Sequence, residues 1–189
     1  KVALLGNPNS GKSSLFNALT GLHQKTGNYS GVTVDRYEGV VNFQEENKKY
    51  KFQIVDLPGL YSLYPKSADE EVACRALLEE NENPDAVVIV ADAANLKRNL
   101  LLATQVLDLK LPTVLVLNMM DEANAQNIVF DLKGLSEGIG VELVPVDSRN
   151  KVGIEELKTA ILKAKKSETV FYDIKHPVLQ TGSYRQHIT

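Results

Sequence analysis

A glycine, four intervening residues, a second glycine, then lysine and serine make up Gly6-Asn-Pro-Asn-Ser-Gly-Lys-Ser13, and the apolar run 2–5 leads straight into it. That order of residue types suits a polyphosphate. A glycine-rich turn entering a helix N-terminus offers converging backbone N–H groups and the positive end of the helix dipole. Gly6 and Gly11 allow close approach of the main chain, Lys12 reaches the β- and γ-phosphates, and the Ser13 hydroxyl is placed to ligate Mg²⁺. Asn7, Asn9, Ser10 and Ser14 complete the expected nucleotide-binding loop.

Two further sets follow in the order a guanine-nucleotide switch needs. Asp56-Leu-Pro-Gly59 closes the apolar stretch 52–55. A carboxylate at that strand end faces the first loop and can hold Mg²⁺ through water, while Gly59 turns an N–H toward the γ-phosphate. Asn118-Met-Met-Asp121 closes the run 113–117. The Asp121 carboxylate can accept two hydrogen bonds from guanine N1–H and its exocyclic amine, a pair adenine lacks. Discrimination then comes from polar groups the wrong base leaves unpaired. Asn118 is expected to brace the base pocket against the phosphate loop. Met119 stands where the usual pattern has lysine, and its thioether stem is expected to cover a base face. The polar, glycine-rich segment 25–33 reads as a loop that orders around the γ-phosphate, with Thr33 as second Mg²⁺ ligand. Hydrolysis would release it together with residues 60–68.

Positioning these residues requires strand ends on one edge. Short apolar runs alternate with amphipathic stretches, the pattern of a sheet covered on both faces. Strands are expected at 2–5, 38–43, 50–55, 86–91, 113–117 and 141–146, the second and third forming a hairpin. Helices are expected at 13–20, 69–79, 96–109, 127–137 and 154–165. The fold class is α/β, a Ras-like P-loop architecture with a mostly parallel six-stranded sheet, one antiparallel strand and helices on both faces. Parallel strands with right-handed crossovers bring all three signatures to one crevice. The nucleotide-binding domain is expected over 1–165, and 166–189 as a tail or the stub of a following helical domain.

With 189 residues, 43% of them hydrophobic, the chain suffices for one compact domain with a real core. A net charge of −3 gives no general basic face for nucleic acid or membrane. The single cysteine, Cys74, excludes an internal disulfide framework and reads as a small buried hydrophobe. No apolar run approaches the roughly 18 residues needed to cross a bilayer. The opening on a strand without methionine suggests a trimmed piece. His23, His176 and His187 lack ligand spacing. Glu70 and Glu71 read as helix-start carboxylates, or as contacts to the water network near the phosphates.

The stretches GNPNSGKSSLFNALTG, TGNYSGVTVDRYEG, DLPGLYSLYPKSADEEVA and NMMDEA resemble the cytosolic G domain of the bacterial ferrous-iron transport protein B (FeoB) family over about residues 1 to 165. The family's usual proline is replaced here by Ser30. The resemblance implies a GTPase on the cytoplasmic face of the bacterial inner membrane. Its own C-terminal helical and membrane regions would be its partners and carry Fe²⁺, and homo-oligomers are possible. It also implies a guanine-contacting loop at Asp147-Ser148-Arg149, where Ser148 presents its N–H to guanine O6. A glutamine often follows the D-x-x-G motif to orient water, but Leu60 occupies that position, so slow turnover is expected. Related GTPases with an asparagine like Asn9 bind K⁺ beside the phosphates, completed by carbonyls here belonging to Gly27 and Tyr29. Asn9, Lys12, Thr33 and Gly59 are then the expected catalytic set. The alternative is a ribosome-assembly or RNA-modification GTPase, which shares the N-P-N-x-G-K-S loop. Such proteins usually carry an N-K-x-D base motif and a basic RNA-binding appendage, and this chain shows neither.

Overall fold

The computed structural model describes residues 1–21, 24–29, 33–78 and 84–172. Seven strands form one sheet in the order β2-β3-β4-β1-β5-β6-β7. Their spans are β1 Val2–Gly6, β2 Gln24–Asn28, β3 Asp35–Glu45, β4 Lys48–Asp56, β5 Ala86–Asp92, β6 Thr113–Asn118 and β7 Glu142–Pro145. Strands β4, β1, β5, β6 and β7 run parallel, and β3 alone runs against its neighbours β2 and β4.

The three central strands are apolar almost without interruption because both of their faces are covered. Alternation along each strand divides them between two cores. Ala3, Leu5, Val87, Ile89, Leu115 and Leu117 face one cluster, where α2 (Ala68–Leu78) and α3 (Leu96–Asp108) supply Val72, Cys74, Leu77, Leu102 and Val106. Val2, Leu4, Val88, Val90, Val114 and Val116 face the other, with Leu15, Phe16 and Leu19 from α1 (Lys12–Thr20) and Leu157 and Ile161 from α6 (Ile154–Leu162). Cys74 lies fully buried, and burial, with help from Glu70 and Glu71, pushes its thiol up to about 12.

The fold is the expected one, with local differences. The sheet has seven strands rather than six among the described residues, because Gln24–Asn28, which overlaps the stretch 25–33 read as a loop, pairs with β3 at the sheet edge. An edge strand needs a ladder on one side only, so polar and glycine residues are tolerated there. The helix expected at 127–137 is displaced. The chain forms α4 (Met120–Ala125), turns at Asn127 with φ 58°, and restarts as α5 (Leu132–Ile139), where the Asp131 carboxylate accepts the Gly134 N–H at 2.9 Å. The last helix ends at Leu162 rather than 165, since the Lys165 carbonyl accepts the Thr113 N–H at 3.0 Å. Residues 166–172 then lie against the C-terminal end of α3. The Lys110 ammonium donates to the carbonyls of Ser167 and Thr169, and the Asp108 carboxylate accepts the N–H groups of Phe171 and Tyr172. Ser30, His23, His176, His187, Glu79 and the 180–189 tail lie outside the described residues.

Candidate functional site

The loop between β1 and α1 owes its shape to its two glycines. A Cβ at Gly6 would sit 2.5 Å from the Val90 carbonyl oxygen, so β1 approaches β5 as closely as it does only with glycine there. Gly11 has φ +81°, and a Cβ on it would lie 2.1 Å from Asn118 Nδ2. From Gly11 the chain enters α1, whose first helical bond runs from the Leu15 N–H to the Gly11 carbonyl at 3.0 Å. A cavity of about 730 Å³ opens above the loop, lined by Asn7, Asn9, Gly11, Lys12, Ser13 and Ser14. Pro58, Gly59 and Met119 close it from neighbouring segments. That size is ordinary for a nucleotide-scale ligand.

Two observations test whether polyphosphate fits. The loop is a cradle that side chains at Gly6 and Gly11 would fill. Asn7 is 4% exposed, yet neither its Oδ1 nor its Nδ2 has a partner, and the buried Ser10 Oγ also lacks one. An unpaired buried polar group costs roughly 1–3 kcal/mol, so such atoms point to a ligand. Mg²⁺ fits in part. Ser13 lines the cavity, while the Asp56 carboxylate is buried and paired with the Lys12 ammonium. Burial pushes the Asp56 carboxyl up, opposed by the Lys12 charge.

At the far side of the loop, Asn118 ends β6 and is 2% exposed. Its Nδ2 donates to the Ser10 carbonyl at 3.0 Å, and its Oδ1 accepts the Ser148 N–H at 3.4 Å. One carboxamide thus ties the phosphate loop to the loop after β7. Met119 adopts φ 61°, an uncommon left-handed conformation for its type, and turns the chain into α4, whose first turn carries Asp121. Met119 packs beside the phosphate loop, its methyl 3.4 Å from where a Gly11 Cβ would stand. The Asp147 carboxylate is occupied locally. It accepts the N–H groups of Arg149 and Asn150 at 3.0 and 2.9 Å and the Asn150 side-chain amide at 2.7 Å. The Asn150 main chain, then its amide, hold that carboxyl below the usual carboxylate range.

Across the crevice, the Leu60 N–H donates to the Gly6 carbonyl at 3.1 Å and its side chain is fully buried. Gly59 lies so close to Pro8 that a Cβ would meet the Pro8 nitrogen at 3.1 Å. Asn9 lines the cavity with φ 66°. Gly27, Tyr29 and Thr33 do not line it. Gly27 stands opposite Arg36 in the β2–β3 ladder, and Thr33 is exposed. Tyr29 is buried, its N–H donating to the Val34 carbonyl at 3.0 Å and its hydroxyl to the Asp56 carbonyl at 3.4 Å.

Sequence reasoning missed Ser67 and Asp69 in the cavity wall. The signal was present as S-x-x-E at 67–70, a helix-start pattern. Ser67 Oγ accepts the Glu70 N–H at 3.3 Å, and the Glu70 carboxylate accepts the Lys66 N–H at 2.6 Å, so Glu70 caps α2 and lines the cavity as well.

The sequence profile of the ferrous iron transport protein B family matches residues 1–161. The Fe(2+) transporter FeoB of Leptospira biflexa is 45% identical over 162 residues, covering 86% of this chain and 23% of that protein. The chain therefore spans under a quarter of that relative. The cytosolic domain of L. pneumophila FeoB superposes with TM-score 0.82 at 35% identity, covering 95% of this chain and 75% of that one. A GDP-bound point mutant of the S. thermophilus FeoB G domain gives TM-score 0.78 at 39% identity, covering 89% and 62%.

Proposed function

Because this chain belongs to the ferrous iron transport protein B family, we propose that it binds GTP and GDP, hydrolyses GTP slowly, and serves as the nucleotide-responsive part of a membrane Fe²⁺ transporter. The observation that carries the reading is the single carboxamide of Asn118 joining the Gly6–Ser13 loop to the loop holding Ser148, beside a glycine-cradled cavity with Lys12 on its wall. The GDP-bound S. thermophilus relative supports the same ligand here.

In this reading the main chain of residues 6–14 and the Lys12 ammonium bind the phosphates, with Gly59 opposite them. Lys12 would leave Asp56 for the phosphates, and Asp56, Ser13 and Thr33 would hold Mg²⁺, whose charge would offset that of the phosphate oxygens. Asp121 selects guanine, the Ser148 N–H meets its O6, and Asp147 with Arg149 shapes that loop. Asn9 with the Gly27 and Tyr29 carbonyls would hold K⁺, which requires β2 and Tyr29 to shift toward the cavity. A monovalent cation held there would supply positive charge beside the phosphates. The buried Leu60 cannot orient water, which keeps turnover slow. The helical and membrane regions of the longer protein are the partners, on the cytoplasmic face of the bacterial inner membrane.

Steady-state GTP turnover tests this in Mg²⁺ with K⁺ or Na⁺, and with a chelator. Turnover should require Mg²⁺ and run faster in K⁺. Cation-indifferent turnover would remove the K⁺ assignment, and chelator-resistant turnover the Mg²⁺ one.

A further inference from the structure

We propose that Gln105, in α3, is a positioning residue for GTP hydrolysis: it fixes the segment 60–66 by its main chain and so sets where Gly59 stands on the cavity wall. The proposal rests on the nucleotide reading above. The chain between β4 and α2 lines the cavity at both ends, at Pro58 and Gly59 and again at Ser67, Asp69 and Glu70. Between those ends it belongs to no helix or strand and passes over α3. Leu60 and Leu63 are buried there in the core that α2 and α3 share. Apolar burial is non-directional and does not by itself fix a main chain, whereas a hydrogen bond does. The Leu63 N–H donates to Gln105 Oε1 at 2.8 Å. Two helical turns earlier on the same face of α3, the Arg98 guanidinium lies 4.5 Å from the centre of the Tyr61 ring.

The residue type matters at that place. Gln105 is half-buried beside the apolar stripe of Leu102, Val106 and Leu107, where an aliphatic side chain of similar length would pack as well but could not accept an N–H. Its bond is the second of two that hold the main chain just after Gly59. The first runs from the Leu60 N–H to the Gly6 carbonyl at 3.1 Å, on the phosphate loop itself. The segment is thus pinned to the phosphate loop at 60 and to α3 at 63, and Gly59 stands immediately before the first pin. Beyond Leu63 the chain surfaces at Tyr64 and Lys66 before Ser67 and Glu70 cap α2. Losing the second pin frees the stretch that follows Gly59 and blurs the placement of its N–H opposite the γ-phosphate. GDP has no γ-phosphate, so its binding should not feel the change.

The test compares the parent chain with Gln105→Leu, which keeps bulk, and Gln105→Glu, which keeps an acceptor. Three quantities are read: tryptic cleavage after the exposed Lys66 without nucleotide, single-turnover hydrolysis at saturating GTP, and GDP affinity. Cleavage follows the population of the opened segment, so Gln105→Leu should speed it roughly fivefold, the scale of one hydrogen bond. The same variant should hydrolyse GTP roughly fivefold to tenfold more slowly and keep GDP affinity within about threefold. Gln105→Glu should restore cleavage and hydrolysis to within about twofold of the parent. Cleavage or hydrolysis in Gln105→Leu equal to the parent's overturns the proposal. So does a loss of GDP affinity matching the loss of rate, or a Gln105→Glu chain as impaired as Gln105→Leu, either of which would mark Gln105 as a packing residue. Failure of the parent itself to bind GDP removes the nucleotide reading and the hydrolytic role with it, and the cleavage comparison, made without nucleotide, still decides whether Gln105 holds the segment.

Discussion

The cavity wall and the edge segment that the nucleotide reading brings to it are built differently. The wall made by 6–14 and 118–121 is held by main-chain geometry and by Asn118, buried between two loops. The edge segment, 24–29 with 33–34, is held by the β2–β3 ladder and by the buried Tyr29, whose hydroxyl reaches the Asp56 carbonyl and whose ring lies 5.4 Å from the Arg36 guanidinium, and its Gly27, Tyr29 and Thr33 lie off the cavity lining. The first wall is shaped for its ligand before binding. The edge segment pairs in the sheet on one side only and has to move toward the cavity to meet a ligand there. Recognition would then reside in the rigid cavity wall and response to the γ-phosphate in the edge segment.

The largest test removes the rigid wall's charge. Lys12→Met should abolish measurable GTP and GDP binding, and it strands the buried Asp56 carboxylate, costing about 3 kcal/mol of stability. Burial already raises the Asp56 carboxyl above its unfolded value of about 3.9. Its favourable contribution is therefore full below about pH 3.9 and is lost as pH rises through the folded value. Without Lys12 the carboxyl is pushed higher still, so the gap in melting temperature between variant and parent should widen from about pH 4 to about pH 7. A gap that narrows with pH would contradict the pairing.

A smaller effect is expected at the tie between the loops. Asn118→Ala orphans the Ser10 carbonyl and the Ser148 N–H and should weaken GTP and GDP binding alike by about 2 kcal/mol, read from nucleotide off-rates. Thr33→Ala, in the edge segment, should leave GDP affinity within about twofold and slow only Mg²⁺-dependent hydrolysis, since its contact arises with the γ-phosphate. Equal turnover in variant and parent would remove Thr33 from the metal site. Smallest of all, Tyr29→Phe should cost at most about 0.5 kcal/mol in urea unfolding, because a 3.4 Å hydroxyl contact is a weak one.

The same contrast explains what could be read from the residues. Gly6, Gly11, Lys12 and Asn118 sit where strand ends and backbone conformation fix them, so spacing alone placed them together. The central strands were equally legible, since continuous apolar runs mean burial on both faces. Strand β2 was not, because an edge strand of Gln24–Asn28 carries no apolar alternation and is held by its neighbour's ladder. Asn127, read as the first residue of the helix expected at 127–137, instead adopts a left-handed conformation in the turn between α4 and α5. At Asp147-Ser148-Arg149 the resemblance implied a guanine-contacting loop, and only the structure shows the Asp147 carboxylate accepting the N–H groups of Arg149 and Asn150. Leu60 was read for what it lacks, and only the structure shows its side chain buried and its N–H bonded to the Gly6 carbonyl.

The central claim, a preformed wall that selects guanine nucleotides, is tested most directly by displacing a fluorescent GDP analogue from the parent chain and from Asp121→Asn with GDP, ADP and XDP. GDP should displace the probe from the parent at least about a hundredfold better than ADP, the discrimination enforced when the wrong base leaves polar groups unpaired. The preference should move toward XDP in the variant. Equal displacement by GDP and ADP, or an unchanged guanine preference in Asp121→Asn, would contradict it.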